Sequence, residues 1–134
     1  MRVFLDTNVL VSAFTARGLC ADLLRLILAE HELLTGEVNL VELRRIMADR
    51  FHASPQQLQV VEEQLREHTI IPRPAVPSRL PIRDLDDAWV LASALAGRAE
   101  IVVSGDQDLQ AVAGAAPVPI VSLRQAWERL RGAS

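Results

Sequence analysis

Short unbroken apolar runs and longer amphipathic stretches alternate along this chain. Val3-Phe4-Leu5 and Ile101-Val102-Val103 are uninterrupted, the pattern of a strand buried on both faces of a sheet. Weaker strand signals lie at about Glu32 to Thr35, punctuated by Gly36, at Thr69-Ile70-Ile71, stopped by Pro72, and near Ile120-Val121. Between them the apolar positions take helical spacing. Thr7 and Asn8 are helix-starting types, and the run Val9 to Phe14 continues that helix, which is relieved near Gly18 and resumes from Ala21 to Glu30. From Val38 to Phe51, Leu40, Leu43, Met47 and Phe51 recur at three- and four-residue intervals. Ser54-Pro55 opens another helix, serine as N-cap and proline in the first helical position, which continues through Val60, Val61 and Leu65 to about Glu67. An alanine-rich helix starts at Asp84-Leu85-Asp86-Asp87 and ends before Gly97; a short helix runs to about Val112, and a last one spans Leu123 to Leu130.

Strands that alternate with helices predict a parallel sheet covered by helices on both faces. The four prolines from Pro72 to Pro81 mark an ordered connection rather than a boundary, since neither side is long enough to stand alone. At 134 residues, with no internal repeat or linker, the expectation is one domain spanning 1–134.

Composition narrows the function classes. No apolar stretch approaches the roughly 20 residues of a membrane-spanning helix, and Asp6 comes too early for a secretory signal, so the expected location is cytoplasmic, with no membrane association. The single cysteine, Cys20, has no disulfide or metal-spaced companion and is expected to be a small buried hydrophobe. A net charge of −3 argues against a large basic face gripping nucleic acid, but not against an acidic site that acts on it. All fourteen basic residues are arginine. The apolar excess and the aliphatic helix faces suggest a homodimer.

The acids carry the candidate chemistry. Both unbroken strands run into aspartate, Asp6 after the first and Asp106 after the second, within Ser104-Gly105-Asp106-Gln107-Asp108-Leu109. If both strands are central and parallel, the two carboxylates meet at one sheet edge, where open α/β sheets bind ligands. Like charges so placed repel unless a cation lies between them, and oxygen donors without histidine or cysteine suit Mg²⁺ or Mn²⁺. Each acid also has a structural reading. Asp6 can be a turn or cap residue; Asp84 with Asp87 three residues on resembles a capping box. Glu42 lies in a largely apolar helical turn, with Asn39 and Ile46 along its face, yet an exposed glutamate paired with Arg45 has the same spacing.

Taken together, Asp6-Thr7-Asn8 after the first strand, a mid-chain glutamate on a helix, Asp87 opening an Ala-rich helix and Ser104-Gly105-Asp106-x-Asp108-Leu109 resemble the PIN domain. Within it, the chain is similar over essentially its whole length to VapC-like ribonucleases, toxin components of toxin-antitoxin systems. The resemblance implies a three-layer α/β/α fold around a mainly parallel sheet of about five short strands. It implies an endoribonuclease dependent on Mg²⁺ or Mn²⁺, with RNA as substrate and a cognate antitoxin as partner. By position, Asp6, Glu42, Asp87 and Asp106 would be the catalytic and metal-holding acids, Asp108 an auxiliary metal ligand, and Thr7, Asn8 and Ser104 supporting polar residues. Two features depart from the pattern: Ser104 stands where threonine is commoner, and the Asp84 to Asp87 cluster leaves Asp84 as an alternative third acid. Arg44, Arg45, Arg79 and Arg83 are candidates to hold the RNA backbone.

Other families that gather aspartates at strand ends fit less well. Two-component receiver domains rely on a lysine, and this chain has none. Haloacid-dehalogenase-type phosphatases place a second aspartate where this chain has Asn8, and use a lysine too. The remaining alternative is a PIN-like module that serves only as an interaction scaffold.

Overall fold

The computed structural model describes residues 1–132. In chain order the elements are β1 (Arg2–Leu5), α1 (Thr7–Thr15), α2 (Leu19–Glu30), β2 (Glu32–Gly36), α3 (Glu37–Phe51), α4 (Pro55–Arg66), β3 (Thr69–Ile71), α5 (Leu85–Ala96), β4 (Ile101–Val103), α6 (Gln107–Ala111), β5 (Ile120–Val121) and α7 (Leu123–Arg131). The five strands form one sheet in the order β3-β2-β1-β4-β5, and every pairing is parallel.

Strand alternation splits the core into two layers. Val3, Leu5, Leu33, Ile101 and Val103 face one side, where α1, α2, α3, α4 and α7 cover them. Phe4, Leu34, Val102 and Ile120 face the other and pack with Val90, Leu91 and Ala94 of α5 and Leu109 of α6. Both faces of β1 are therefore dry, which is why its sequence shows no polar alternation. Phe4, Leu34, Leu91 and Leu109 are fully buried, each worth about 2 kcal/mol of transfer free energy. Cys20 is half-buried at the margin of the first layer, less deep than its composition suggests.

Helix starts follow local chemistry. The Ser54 hydroxyl accepts from the Gln57 N–H and the Gln57 side chain returns to the Ser54 N–H, a reciprocal cap with Pro55 behind it. At α5, Asp84 caps by accepting from the Asp86 N–H at 2.9 Å; Asp87 takes no part in a capping box. The amino edge of the sheet is tied by Arg2, whose guanidinium donates to Glu32 Oε2 at 2.6 Å and to the Gly97 carbonyl at 2.6 Å. Gly97 packs closely there: a Cβ would fall 2.5 Å from Ile71 Cδ1 and 2.8 Å from its Cγ1, so the Ile71 side chain would have to move. Among the described residues, no helix is long and apolar enough to cross a membrane.

Candidate functional site

The strand order reverses at β1: the chain builds outward through β2 and β3, then crosses back to place β4 on the other side of β1. The carboxyl ends of β1 and β4 therefore flank a crevice of the kind in which open α/β sheets hold ligands. Leu5 pairs with Val103, so the residue level with Asp6 is Ser104 rather than Asp106. The Asp6 N–H donates to the Val103 carbonyl at 3.0 Å and carries the ladder one residue past the strand.

Asp6 is buried and held from three directions. Its Oδ2 accepts from the Ser104 hydroxyl at 2.6 Å. Its Oδ1 accepts from the Thr7 N–H at 2.8 Å and from Asn39 Nδ2 at 3.4 Å. Burial raises its pKa, the bonds from Ser104 and Thr7 pull it down, the Asp106 charge pushes it up again, and the net shift is upward. Ser104, fully buried, also accepts from the Asp106 N–H at 3.0 Å, so one hydroxyl joins the ends of the two strands. That role needs a hydroxyl and not threonine's methyl.

Asp106 is the N-cap of α6: its Oδ1 accepts from the N–H groups of Asp108 at 2.7 Å and Leu109 at 3.2 Å, which leaves Oδ2 uncommitted. Asp87, one turn into α5 and 7% exposed, is the strained member. Its Oδ2 is buried without a hydrogen-bond partner. Burial, then the charge of Asp106 and the hydrogen bond that only a protonated Asp87 can share with it, then the charges of Asp6 and Asp84 push its pKa up to about 8. One carboxylate oxygen from each of Asp84, Asp87 and Asp108 lies within 4.8 Å of the others, a spacing compatible with a shared cation.

Glu42 approaches from α3. Its Oε2 stands 3.5 Å from the Thr7 hydroxyl, at the long limit of a hydrogen bond. Half-burial raises its pKa, Asp6 adds to the rise, and Arg45 opposes it. The acids from the end of β1, α3, α5 and the β4–α6 turn thus share one edge of the sheet, but Glu42, Asp6 and Asp106 lie outside the tight group of Asp84, Asp87 and Asp108. The amino ends of α1, α3, α5 and α6 all open at this edge, and their dipoles offset part of the repulsion.

Of the supporting residues, Thr7 is buried and accepts from Asn39 Nδ2 at 2.9 Å. Asn8 is exposed and makes no side-chain hydrogen bond among the described residues. Asn39 is the residue that sequence reasoning passed over. Fully buried, it braces Asp6 and Thr7 with its amide nitrogen and accepts the Gly36 N–H at 3.1 Å with its oxygen. An asparagine three residues after a helix-starting glycine, inside an apolar face, was the available signal.

Arg44 is committed to Glu62 at 2.6 Å. Arg45 lines a groove between α3 and α5 that begins at Glu42, while Arg79 and Arg83 are exposed in the proline-rich connection and the turn before α5.

A sequence profile described as PIN domain matches residues 2–108. VapBC2 from Rickettsia felis, solved bound to a DNA fragment from their promoter, is similar in fold with a TM-score of 0.64 at 16% identity, over 91% of this chain and 98% of that one. VapBC-1 from nontypeable Haemophilus influenzae gives 0.62 at 16% identity, over 92% and 99%. FitAcB from Neisseria gonorrhoeae gives 0.57 at 18%, over 91% and 98%. No curated protein sequence matches the chain.

Proposed function

This chain belongs to the PIN-domain family, and on that premise we propose that it is an endoribonuclease that hydrolyses RNA phosphodiester bonds with a divalent cation. Its catalytic acids in this reading are Asp6, Glu42, Asp87 and Asp106, with Asp108 as a further metal ligand and Asp84 as the rival or companion of Asp87. The observation that carries the proposal is Asp87: a buried carboxylate with an orphaned oxygen, one turn from Asp84 and beside Asp106 and Asp108. A buried, unpaired carboxylate crowded by its own kind is costly, and a cation would remove that cost.

The donor set fits Mg²⁺ or Mn²⁺, since every candidate ligand is a carboxylate oxygen and no histidine or cysteine stands among them. Such a cation, held by Asp87 with Asp106, Asp108 and Asp84, would supply acidified water and neutralise charge on the phosphate. The protein's own part is preorganisation. Ser104, Thr7 and Asn39 fix the Asp6 carboxylate, and two backbone amides fix Asp106, so neither needs to reorganise when the substrate arrives. Arg45, beside Glu42 in the groove, is placed to hold a backbone phosphate next to the acids.

The purified protein is expected to cut a single-stranded RNA oligonucleotide in Mn²⁺ or Mg²⁺ and to stop in EDTA. Asp87→Asn should fall to background while retaining its fold by circular dichroism. Undiminished cleavage in EDTA, once contaminating nuclease is excluded, contradicts the mechanism.

A homodimer and a small antitoxin that covers the acidic edge complete the proposal. The fold neighbours are VapBC and FitAB complexes. Exposed Phe51 and Val60 border an apolar hollow with Phe14 and Met47, a surface suited to burial by another chain.

A further inference from the structure

Resting on the ribonuclease reading, we propose that the groove between α3 and α5 is a nucleobase subsite built on Trp89 and Arg73. Its volume of about 370 Å³ falls within the range of small-molecule pockets, about 300–1,000 Å³. Val38 and Val41 of α3 form one apolar wall, and Val41 is 71% exposed despite its side chain. Trp89 of α5 forms the facing wall, and the Arg73 guanidinium lies over its ring, 4.1 Å from the centroid.

Arg73 sits between Pro72 and Pro74, which restrict its backbone and post its side chain over the tryptophan. Among the described residues it makes no ion pair, so its charge is not spent within the protein. A planar guanidinium already stacked on an indole offers a second flat face, and flat π-surfaces with a cation in the stack are what unpaired bases bind. Charge in the groove is balanced, so the stacked cation and not net charge favours a base. Of its three acids, Glu37 is neutralised by a bidentate pair with Arg66 at 2.7 and 2.9 Å, and Glu42 and Asp86 are matched in number by Arg45 and Arg73. Arg45, like Arg73, makes no ion pair among the described residues.

Continuity with the acids sets which nucleotide is meant. Glu42 lines the groove and also reaches Thr7, the neighbour of Asp6. A strand whose phosphate lies at the acids therefore has its adjoining base beside Val41 and Trp89. The subsite holds the base next to the cleaved bond and contributes affinity, not chemistry.

The chain has two tryptophans, so Trp127→Phe leaves Trp89 as the only indole. In that background, with Asp87→Asn added to prevent turnover, a single-stranded RNA hexanucleotide in Mg²⁺ should quench Trp89 fluorescence. An abasic hexamer of equal charge should bind about ten-fold more weakly, without quenching. In the otherwise intact enzyme, Trp89→Ala and the exposed-site change Arg73→Gln should each raise KM about ten-fold and leave kcat nearly unchanged. Equal binding of the abasic hexamer, or unchanged KM in both variants while wild type cleaves RNA, overturns the subsite and leaves the ribonuclease reading standing. Loss of binding to a co-purified protein partner in Arg73→Gln, with RNA cleavage intact, assigns the groove to protein docking and also overturns it. If wild type neither binds nor cleaves RNA, the ribonuclease reading fails and the subsite with it.

Discussion

Asp87 is the carboxyl of the acidic edge whose ionisation is most strongly opposed, by three neighbouring carboxylates and by burial. A carboxyl whose folded pKa lies above its unfolded value keeps its proton longer in the folded state. The folded state therefore has its full stability below the ordinary value of 3.8 and loses it progressively as the pH climbs toward about 8. Asp87→Asn removes the ionisation and can donate its amide to Asp106. Without metal at pH 8.5 it should melt higher than wild type by several degrees, with the two curves converging as the pH falls to 4. Melts in EDTA across that range check this; a mutant that melts lower at pH 8.5 contradicts it. Asp84→Asn should change stability by less than about 0.5 kcal/mol, since asparagine caps as well as aspartate. The candidate aspartates stood out in the sequence because they lie just after a strand or at the start of a helix, whereas Glu42, inside α3, was singled out through the family resemblance. Asn39 was not, for its partners Asp6 and Thr7 are more than thirty residues away and only the fold brings them near.

Among the elements, the boundaries that could be read early are those written in local chemistry. Ser54-Pro55 opens α4 where the cap predicts, and β3 ends where Pro72 forbids another donor. Helix α1 starts at Thr7, earlier than its apolar run, because Asp6 caps it by accepting from the Thr7 N–H. Register was out of reach: that Ser104, not Asp106, lies level with Asp6 depends on β1–β4 pairing, which no local pattern encodes. The approach of α5 to the start of α3 is equally non-local. It depends on Gly36, where a Cβ would stand 3.0 Å from both Asn39 Oδ1 and Ser93 Oγ. Gly36→Ala should therefore cost about 1–3 kcal/mol and lower the melting temperature by several degrees, whereas Gly114→Ala, with open space around its Cβ, should be nearly neutral. Equal melts for the two variants would contradict the packing described here.

At the scale of the whole molecule, the alternation of strands and helices was enough to anticipate a parallel sheet covered on both faces, and the sheet is parallel throughout. The order β3-β2-β1-β4-β5 then has a functional consequence: it puts the reversal beside β1 and gathers at one edge acids from four separate parts of the chain. The opposite edge carries Arg2, Glu32 and Gly97 and ties the strands together, so these bonds and the acidic edge lie at opposite ends of the strand axis. The groove with Trp89 and Arg73 escaped sequence reading because its walls come from α3, α5 and the proline-rich connection. The proposed activity requires the acidic edge to be a divalent-cation site. An anomalous difference map from a crystal soaked in Mn²⁺ tests it most directly: a peak within coordination distance of the Asp87 carboxylate and at least one of Asp84, Asp106 and Asp108 is expected, and its loss in Asp87→Asn. A well-ordered edge with no peak at saturating Mn²⁺, or manganese bound only elsewhere, would contradict it.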